Sequence, residues 1–248
     1  MSKIYTWDAA KNIVIPGNKE ETVLFCVKHF LYCAEQAMAS HGYFAVALSG
    51  GSTPKALYDL LGHHHSSALD WSKVYLFWSD ERSVAPDHPD SNYHMAMQSG
   101  LKLLPILPSH IFRMPADGVI KEGAKSYEAT LDKILQGSPL DLIMLGMGDD
   151  GHTASLFPNT EGIKDDKHKV VANYIPEKST WRMTFTASYI NTATHIVFYV
   201  LGAAKKEALN KVFISPSGTY PCTLIGTKAH PALWILDKEA ASSLNLAS

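Results

Sequence analysis

The chain has 248 residues, of which 46% are hydrophobic, and a formal net charge of -2. This composition is typical of a globular protein with a sizeable core, and the length suits one large domain or two small ones. The near-neutral charge and the lack of a basic block argue against binding to nucleic acid or to an anionic membrane surface. We predict a single domain over residues 1–248.

Cysteine usage and the first residues indicate a compartment. Cys26, Cys33 and Cys222 are odd in number and lack zinc-finger spacing, which favours free thiols in a reducing environment. Residues 1–8 contain no apolar segment of signal-peptide length, and the longest apolar runs, such as residues 196–201, are far too short to span a bilayer. We therefore expect a cytoplasmic protein.

The hydrophobic pattern predicts helices and strands that alternate along the chain. Asn18 and Glu21 form a capping pair for a first helix, whose apolar side includes Val23, Val27 and Leu31. The later predicted segments, in chain order, are a strand at 43–48, a helix at 55–61 with Pro54 at its first position, a strand at 74–78, a helix at 121–135, strands at 140–145, 182–186 and 195–201, a helix at 203–213 and a strand at 232–236.

This alternation predicts an α/β protein with three αβα layers around a mostly parallel, Rossmann-like sheet. In open sheets of this kind, binding sites lie outside the carboxyl ends of the strands. Loops rich in small or charged residues follow Leu48, Trp78, Leu145 and Leu201. We expect the functional site among these loops.

The loop after Leu48 has the composition of a phosphate-binding loop, Ser49-Gly50-Gly51-Ser52-Thr53-Pro54. Glycines allow the backbone to approach a ligand, and the following helix offers free N–H groups and a positive dipole end. The Gly-Lys-Ser/Thr ending of nucleotide-triphosphate loops is missing, so a single phosphate group is favoured. The alternative is a tight turn capped by Thr53.

The loop after Trp78 begins with the charged triplet Asp80-Glu81-Arg82. Such a triplet is commonly a solvated turn. At this sheet edge, however, the forked and permanently charged guanidinium of Arg82 is suited to hold a phosphate or an oxyanion, oriented by Asp80 or Glu81.

The turn Gly146-Met147-Gly148-Asp149-Asp150-Gly151-His152 admits several interpretations. Its glycine spacing matches a dinucleotide fingerprint, but two carboxylates would repel a pyrophosphate. A metal site formed by Asp149, Asp150 and His152 lacks a second histidine at ligand spacing. General acid–base chemistry is favoured: a histidine can take a proton from water, with Asp150 or Asp149 holding its tautomer. A histidine that only caps the turn is the remaining alternative.

These three motifs together resemble the 6-phosphogluconolactonases in order and separation, over nearly the whole chain. The chain is also similar to the related glucosamine-6-phosphate deaminases, which share a sugar-phosphate-isomerase type of α/β fold. In the deaminases a catalytic Glu follows the Asp-Gly-His motif, where this chain has Phe157. They also favour Asp-Glu-Tyr in place of Asp80-Glu81-Arg82. Both differences match the lactonases.

The resemblance implies hydrolysis of 6-phospho-D-glucono-1,5-lactone by water that His152 activates, without a metal, a cofactor or an obligatory protein partner. It assigns the phosphate to residues 49–53 and to the basic side chains of Arg82, Arg182 and Lys206, with Lys205 as the neighbouring alternative. Arg82 also serves as a candidate oxyanion ligand. Without the resemblance, Arg182 and Lys206 would be interpreted as surface charges. The runner-up functions are a deaminase and a non-catalytic sugar-phosphate sensor.

Overall fold

The computed structural model describes residues 3–245 and confirms the predicted α/β fold. The ends of the predicted 1–248 domain lie outside the described residues. The strands are β1 (Ile4–Asp8), β2 (Lys11–Val14), β3 (Phe44–Leu48), β4 (Val74–Trp78), β5 (Asp80–Arg82), β6 (Leu142–Leu145), β7 (Val170–Ile175), β8 (Thr180–Phe185), β9 (His195–Val200) and β10 (Ala232–Leu236). The helices are α1 (Lys19–His41), α2 (Ser52–His64), α3 (Asn92–Gln98), α4 (Ile120–Leu135), α5 (Ala187–Ile190) and α6 (Lys206–Ile214).

The larger sheet has seven strands in the order β1-β2-β10-β9-β6-β3-β4, and all of them are parallel except β1. Strand β3 has its successor β4 on one side and β6 on the other. From β3 to β4 the next strand is therefore added toward one edge of the sheet, whereas from β6 to β10 the strands are added toward the other edge. In open α/β sheets a crevice forms at such a switch point, outside the carboxyl ends of the strands.

Helices cover both faces of this sheet. Tyr127 of α4 packs edge-on against Phe77 of β4, and Phe213 of α6 packs in the same way against Trp234 of β10. On the opposite face, the hydroxyl of Tyr58 in α2 contacts Met144 of β6. The three layers bury the apolar side chains of the central strands, so the sheet is a rigid support for the loops at its edge.

The first helix forms as its sequence predicts. The Glu21 backbone N–H donates to Asn18 Oδ1 at 3.0 Å, and the Asn18 N–H donates to Glu21 Oε2 at 2.8 Å. This reciprocal pair satisfies two N–H groups that have no partner within the helix. Gly42 ends the helix in the left-handed region, with φ 91°.

Helix α2 begins earlier than its sequence suggests. It starts at Ser52 with Gly51 as its N-cap residue, at φ 106°. Thr53 therefore does not cap the helix, and Pro54 is its third residue rather than its first. Proline is tolerated throughout the first turn because N–H groups there have no intrahelical acceptor.

A second, three-stranded antiparallel sheet, in the order β5-β8-β7, was not anticipated. The triplet at residues 80–82, expected to be a loop, forms β5 and pairs with β8 across about a hundred residues of sequence. Strands β1, β2 and β7 and helices α3 and α5 were also missed. Each of these elements is short, and a pairing between distant segments leaves little local signal in the sequence.

The three cysteines are free and buried. Within residues 3–245, no helix combines the length and the apolar character needed to cross a membrane.

A group of titratable side chains lies near the amino ends of the central strands, away from the switch point. Burial and the nearby His195 lower the pKa of His29 to about 4. Burial also lowers the pKa of His195, although the charge of Asp141 opposes this shift. Asp141 accepts a hydrogen bond from His41 at 2.8 Å, and Cys33 Sγ lies 3.8 Å from His29 Nε2.

We expect the free energy of unfolding to fall as the pH is lowered from about 7 to about 5. An unfolded histidine takes up a proton near pH 6.5, whereas His29 in the folded state does so only near pH 4. The unfolded state therefore binds more protons in this window, and stability rises with pH there. In urea titrations, His29→Gln should show a shallower pH dependence than wild type, whereas His64→Gln on the exposed end of α2 should not. If the free energy of unfolding depended equally on pH in wild type and in His29→Gln, the lowered pKa of His29 would be contradicted.

Candidate active site

A cavity of about 290 Å³ opens at the switch point. The structure brings together there the loops after β3, β4, β6 and β9, and adds a wall from β8. The lining residues are Ser49, Gly50, Gly51, Ser52, Thr53, Pro54, Asp80, Arg82, Asn92, Gly146, Met147, Gly148, His152, Ala154, Arg182, Tyr199, Val200, Leu201 and Lys205.

His152 is held by Asp150. Its Nδ1 lies 2.5 Å from Asp150 Oδ1, and its backbone N–H donates to the same oxygen at 3.1 Å. Burial raises the pKa of Asp150, but the hydrogen bonds and charge of His152 outweigh this effect and bring that pKa below its ordinary value. Asp150 is therefore an ionised acceptor at neutral pH, which favours the proton on Nδ1 and a basic Nε2.

The imidazole ring of His152 is also fixed by its packing. It stacks on Phe157, with ring centroids 4.0 Å apart and planes at 18°. A side chain at Gly148 would place its Cβ 2.0 Å from His152 Nδ1, so only glycine fits beside the ring. A ring held at its edge and on its face keeps one orientation, as a catalytic base requires.

The second carboxylate of the turn has a different partner. Asp149 Oδ1 accepts from Lys205 Nζ at 2.7 Å, and Lys205 lines the cavity. Lys206, the residue first assigned to the phosphate, is exposed and is not among the lining residues. One residue in a helix turns the side-chain direction by about 100°, so neighbouring lysines at the start of α6 point differently. Lys205 is the lysine that reaches the site.

The loop after β3, residues 49–54, which the sequence predicts to bind phosphate, presents the amino end of α2 to the cavity. The Tyr58 hydroxyl holds its first residue at both backbone groups: it donates to Ser49 O at 2.9 Å and accepts from Ser49 N at 3.1 Å. Gly50 lies against Asn92, because a Cβ there would be 2.1 Å from Asn92 Oδ1. In the described part of the chain, no side chain caps the helix, so its first N–H groups and positive dipole end are available to a ligand in the cavity that residues 49–54 line.

Two arginines face each other on the small sheet. Arg82 and Arg182 are directly opposed in the β5–β8 pair. Burial, and then the charge of Arg82, lower the pKa of Arg182, while Asp80 opposes the shift. Within the described residues, the buried Nε atoms of both arginines have no hydrogen-bond partner. Like charges in this arrangement repel, and the anionic groups of a bound ligand would satisfy both guanidinium groups.

The two acids of the triplet are structural rather than solvated. Asp80 and Glu81 are only 5% and 4% exposed, so the solvated-turn alternative is wrong. Glu81 accepts from the backbone N–H groups of Asn92 and Tyr93, at 2.8 and 2.9 Å. It therefore holds the amino end of α3 rather than the guanidinium of Arg82.

Asn92 is a site residue that the sequence analysis missed. It donates from Nδ2 to both the carbonyl and the carboxylate of Asp80, at 2.9 and 3.1 Å. The preceding Ser91, an N-cap residue that accepts from His94 N–H, was the available signal for a helix start. Across the described chain, from residue 3 to residue 245, no group of three or more His, Cys, Asp or Glu side chains is placed to hold a metal ion.

Comparison with known sequences gives consistent matches over most of the chain. The profile of the family described as glucosamine-6-phosphate isomerases/6-phosphogluconolactonase matches residues 17–234. The chain is 34% identical over 249 residues to a 6-phosphogluconolactonase of Chlamydia trachomatis, covering 100% of this chain and 96% of the relative. It is 40% identical over 222 residues to a 6-phosphogluconolactonase of Nostoc sp., covering 86% and 89%.

Solved structures share the fold. A 6-phosphogluconolactonase from Trypanosoma cruzi matches with a TM-score of 0.83 and 28% identity, over 94% of this chain and 96% of that one. A monomeric glucosamine-6-phosphate deaminase matches with a TM-score of 0.78 and 20% identity, over 93% and 98%, which is a similarity of fold. The same architecture therefore occurs in proteins of different activity, and the lining of the cavity must distinguish them.

Proposed function

Because the chain belongs to the glucosamine-6-phosphate isomerase/6-phosphogluconolactonase family and is a lactone hydrolase of the 6-phosphogluconolactonase type, we propose that His152 is its general base. The substrate would be 6-phospho-D-glucono-1,5-lactone and the product 6-phosphogluconate, a step of the pentose phosphate pathway. The observation that carries the assignment is the Asp150–His152 contact of 2.5 Å on the wall of the cavity.

In the proposed reaction, Nε2 of His152 takes a proton from a water molecule, and the water oxygen attacks the lactone carbonyl carbon. The carbonyl oxygen then carries negative charge. When this tetrahedral intermediate collapses, the bond from the carbonyl carbon to the ring oxygen breaks. The imidazolium returns its proton to that oxygen, which leaves as the hydroxyl of the opened chain. Asp150 stabilises the imidazolium between these two steps.

Arg82 is the proposed ligand of the oxyanion. Its guanidinium lines the cavity, and one of its nitrogens is anchored by a 2.6 Å hydrogen bond to the carbonyl of Asp90. A positioned donor of this kind contributes about 3 kcal/mol to stabilising such an intermediate.

The phosphate of the substrate is proposed to lie between residues 49–53 and the basic side chains of Arg182 and Lys205. The amino end of α2 and the unsatisfied Nε of Arg182 are complementary to a dianion. The phosphate is remote from the bond that breaks, so its binding energy orients the lactone toward His152.

An assay of both activities of the family tests the proposal. We expect rapid hydrolysis of the lactone above its spontaneous rate, and no release of ammonia from glucosamine 6-phosphate. The deaminases carry a Glu at the position of Phe157, which is buried here and cannot transfer protons. Ammonia release, or binding of 6-phosphogluconate without turnover of the lactone, would instead support a deaminase or a sugar-phosphate sensor.

We further propose that the enzyme is cytoplasmic and that it acts without nucleic acid, a membrane or an obligatory protein partner. This proposal is supported by the near-neutral net charge of -2 and the free, buried cysteines.

A further inference from the structure

The segment that follows the catalytic histidine is anchored at one residue, Ser155. Its hydroxyl donates to Asp80 Oδ2 at 2.6 Å, its backbone N–H donates to Thr184 Oγ1 at 3.1 Å, and its carbonyl accepts from Asn173 Nδ2 at 2.9 Å. Ser155 is completely buried. All the polar groups of this residue are thus satisfied by side chains of the small sheet, one from each of its three strands.

These partners lie on one face of the small sheet. Strands β5, β8 and β7 are paired so that Thr184 is opposite Asp80 on one side and Val171 on the other, with Asn173 two residues further along β7. Alternate residues of a strand share a face, so the side chains of Asp80, Thr184 and Asn173 point to the same side. The small sheet therefore presents a preformed polar socket for Ser155.

The anchored segment is a tight turn that continues directly from the base. Thr153 and Leu156 exchange backbone hydrogen bonds around it, at 2.9 and 3.4 Å. Ala154, inside the turn, has φ 47°, which a residue other than glycine adopts only when its surroundings impose it. The turn ends at Phe157, whose ring stacks on the imidazole of His152.

We propose that the small sheet is a positioning device for the catalytic base, acting through Ser155. The socket residues Thr184 and Asn173, neither of which lines the cavity, hold the turn 153–156 in the conformation that places Ala154 in the left-handed region. This turn holds the ring of Phe157 against the face of the His152 imidazole. The orientation of the imidazole then directs Nε2 at the substrate. Thr184 and Asn173 are positioning residues, and the inference rests on the proposed function of His152.

This role predicts a specific kinetic pattern. The phosphate contacts are formed by other segments, namely the loop after β3, Arg182 and Lys205, so a looser turn should leave substrate binding intact. The chemical step depends on the position of Nε2, and a displacement of about 1 Å can cost roughly a hundredfold in rate. Loss of the socket should therefore lower kcat and spare KM.

The test compares two substitutions of one buried residue. Thr184→Val keeps the shape of the side chain but removes the acceptor for the Ser155 N–H, and Thr184→Ser retains the hydroxyl. We expect kcat of Thr184→Val to fall roughly tenfold to a hundredfold, with KM and the Kd for 6-phosphogluconate within about twofold of wild type. Thr184→Ser should recover most of this loss. Thr180→Val is the matched control on β8, because within residues 3–245 the Thr180 hydroxyl bonds only the neighbouring Trp181 carbonyl.

Hydrogen exchange provides a readout that does not depend on activity. Backbone amides of residues 153–157 should exchange faster in Thr184→Val than in Thr180→Val. Ser155→Ala, a smaller change that removes only the hydroxyl contact with Asp80, serves as the second variant if Thr184→Val does not fold. Wild-type kcat in the folded variants, or equal losses of kcat and of 6-phosphogluconate binding, would overturn the proposal. If wild type itself did not hydrolyse the lactone, the proposed function would fail, and unchanged exchange would still refute the socket.

Discussion

Replacing His152 with alanine is expected to lower kcat for lactone hydrolysis at least about a hundredfold, with little change in KM. Among the residues that the structure describes, His152 is the one histidine that lines the cavity, and its Nδ1 lies 2.5 Å from Asp150 Oδ1. Alanine removes the proposed acceptor for the proton of water but leaves the proposed phosphate ligands in place. The measurement is the initial rate of lactone disappearance after subtraction of the spontaneous rate.

Two further variants test whether the loss of kcat is specific to the Asp150–His152 pair. Asp150→Asn should also lower kcat, because an amide does not stabilise the imidazolium as a carboxylate does and can donate to Nδ1, which favours the tautomer with its proton on Nε2. His64→Ala, in the exposed last turn of α2, should retain wild-type kinetics. Near-normal turnover by His152→Ala would refute the general-base assignment.

Removal of the Arg182 guanidinium is expected to act on the substrate's affinity rather than on the chemical step. One charge-assisted hydrogen bond to phosphate contributes about 1.5–3 kcal/mol, so Arg182→Ala should raise KM about 10- to 100-fold with a small effect on kcat. Inhibition by inorganic phosphate should weaken in parallel. The physical basis is the buried Nε of Arg182, which has no partner within residues 3–245 and lies opposite a second arginine.

A surface arginine gives the matched control for this prediction. Arg113 pairs with Asp117 at 2.9 Å and is not among the cavity-lining residues, so Arg113→Ala should leave KM unchanged. Arg182→Lys should be intermediate, because a lysine keeps the charge and loses the forked geometry. A wild-type KM together with unchanged phosphate inhibition in Arg182→Ala would show that Arg182 is not a phosphate ligand.

Much of the fold was predictable because its signals are local. Strands β4 and β10 occur at the predicted residues, and the capping pair of Asn18 and Glu21 begins α1 as expected. A continuous apolar run and a capping box depend on residues that are close in sequence. The β5-β8-β7 sheet was missed because Arg82 pairs with Arg182, and no local pattern indicates so distant a partner.

In the turn at 146–152, too, the sequence predicted the residue types of the site, and the structure decided which side chains are in contact. The residue types alone indicated a base with an orienting carboxylate, because a histidine two residues from an aspartate is within reach of it in a tight turn. They did not decide between Asp149 and Asp150. The structure places Asp150 on His152 and Asp149 on Lys205, since the turn directs successive side chains to different sides.

By itself, the amino-acid sequence determined five of the seven strands of the larger sheet, the loops expected to form the site and the candidate base. These properties follow from periodicity and from residue chemistry, which are local. Only the tertiary structure decided that Lys205 rather than Lys206 reaches the cavity, that the two arginines oppose each other, and that Ser155 is held by Asp80, Thr184 and Asn173. Those contacts join segments far apart in the chain, and their geometry is set by strand pairing and side-chain direction, which no single segment encodes.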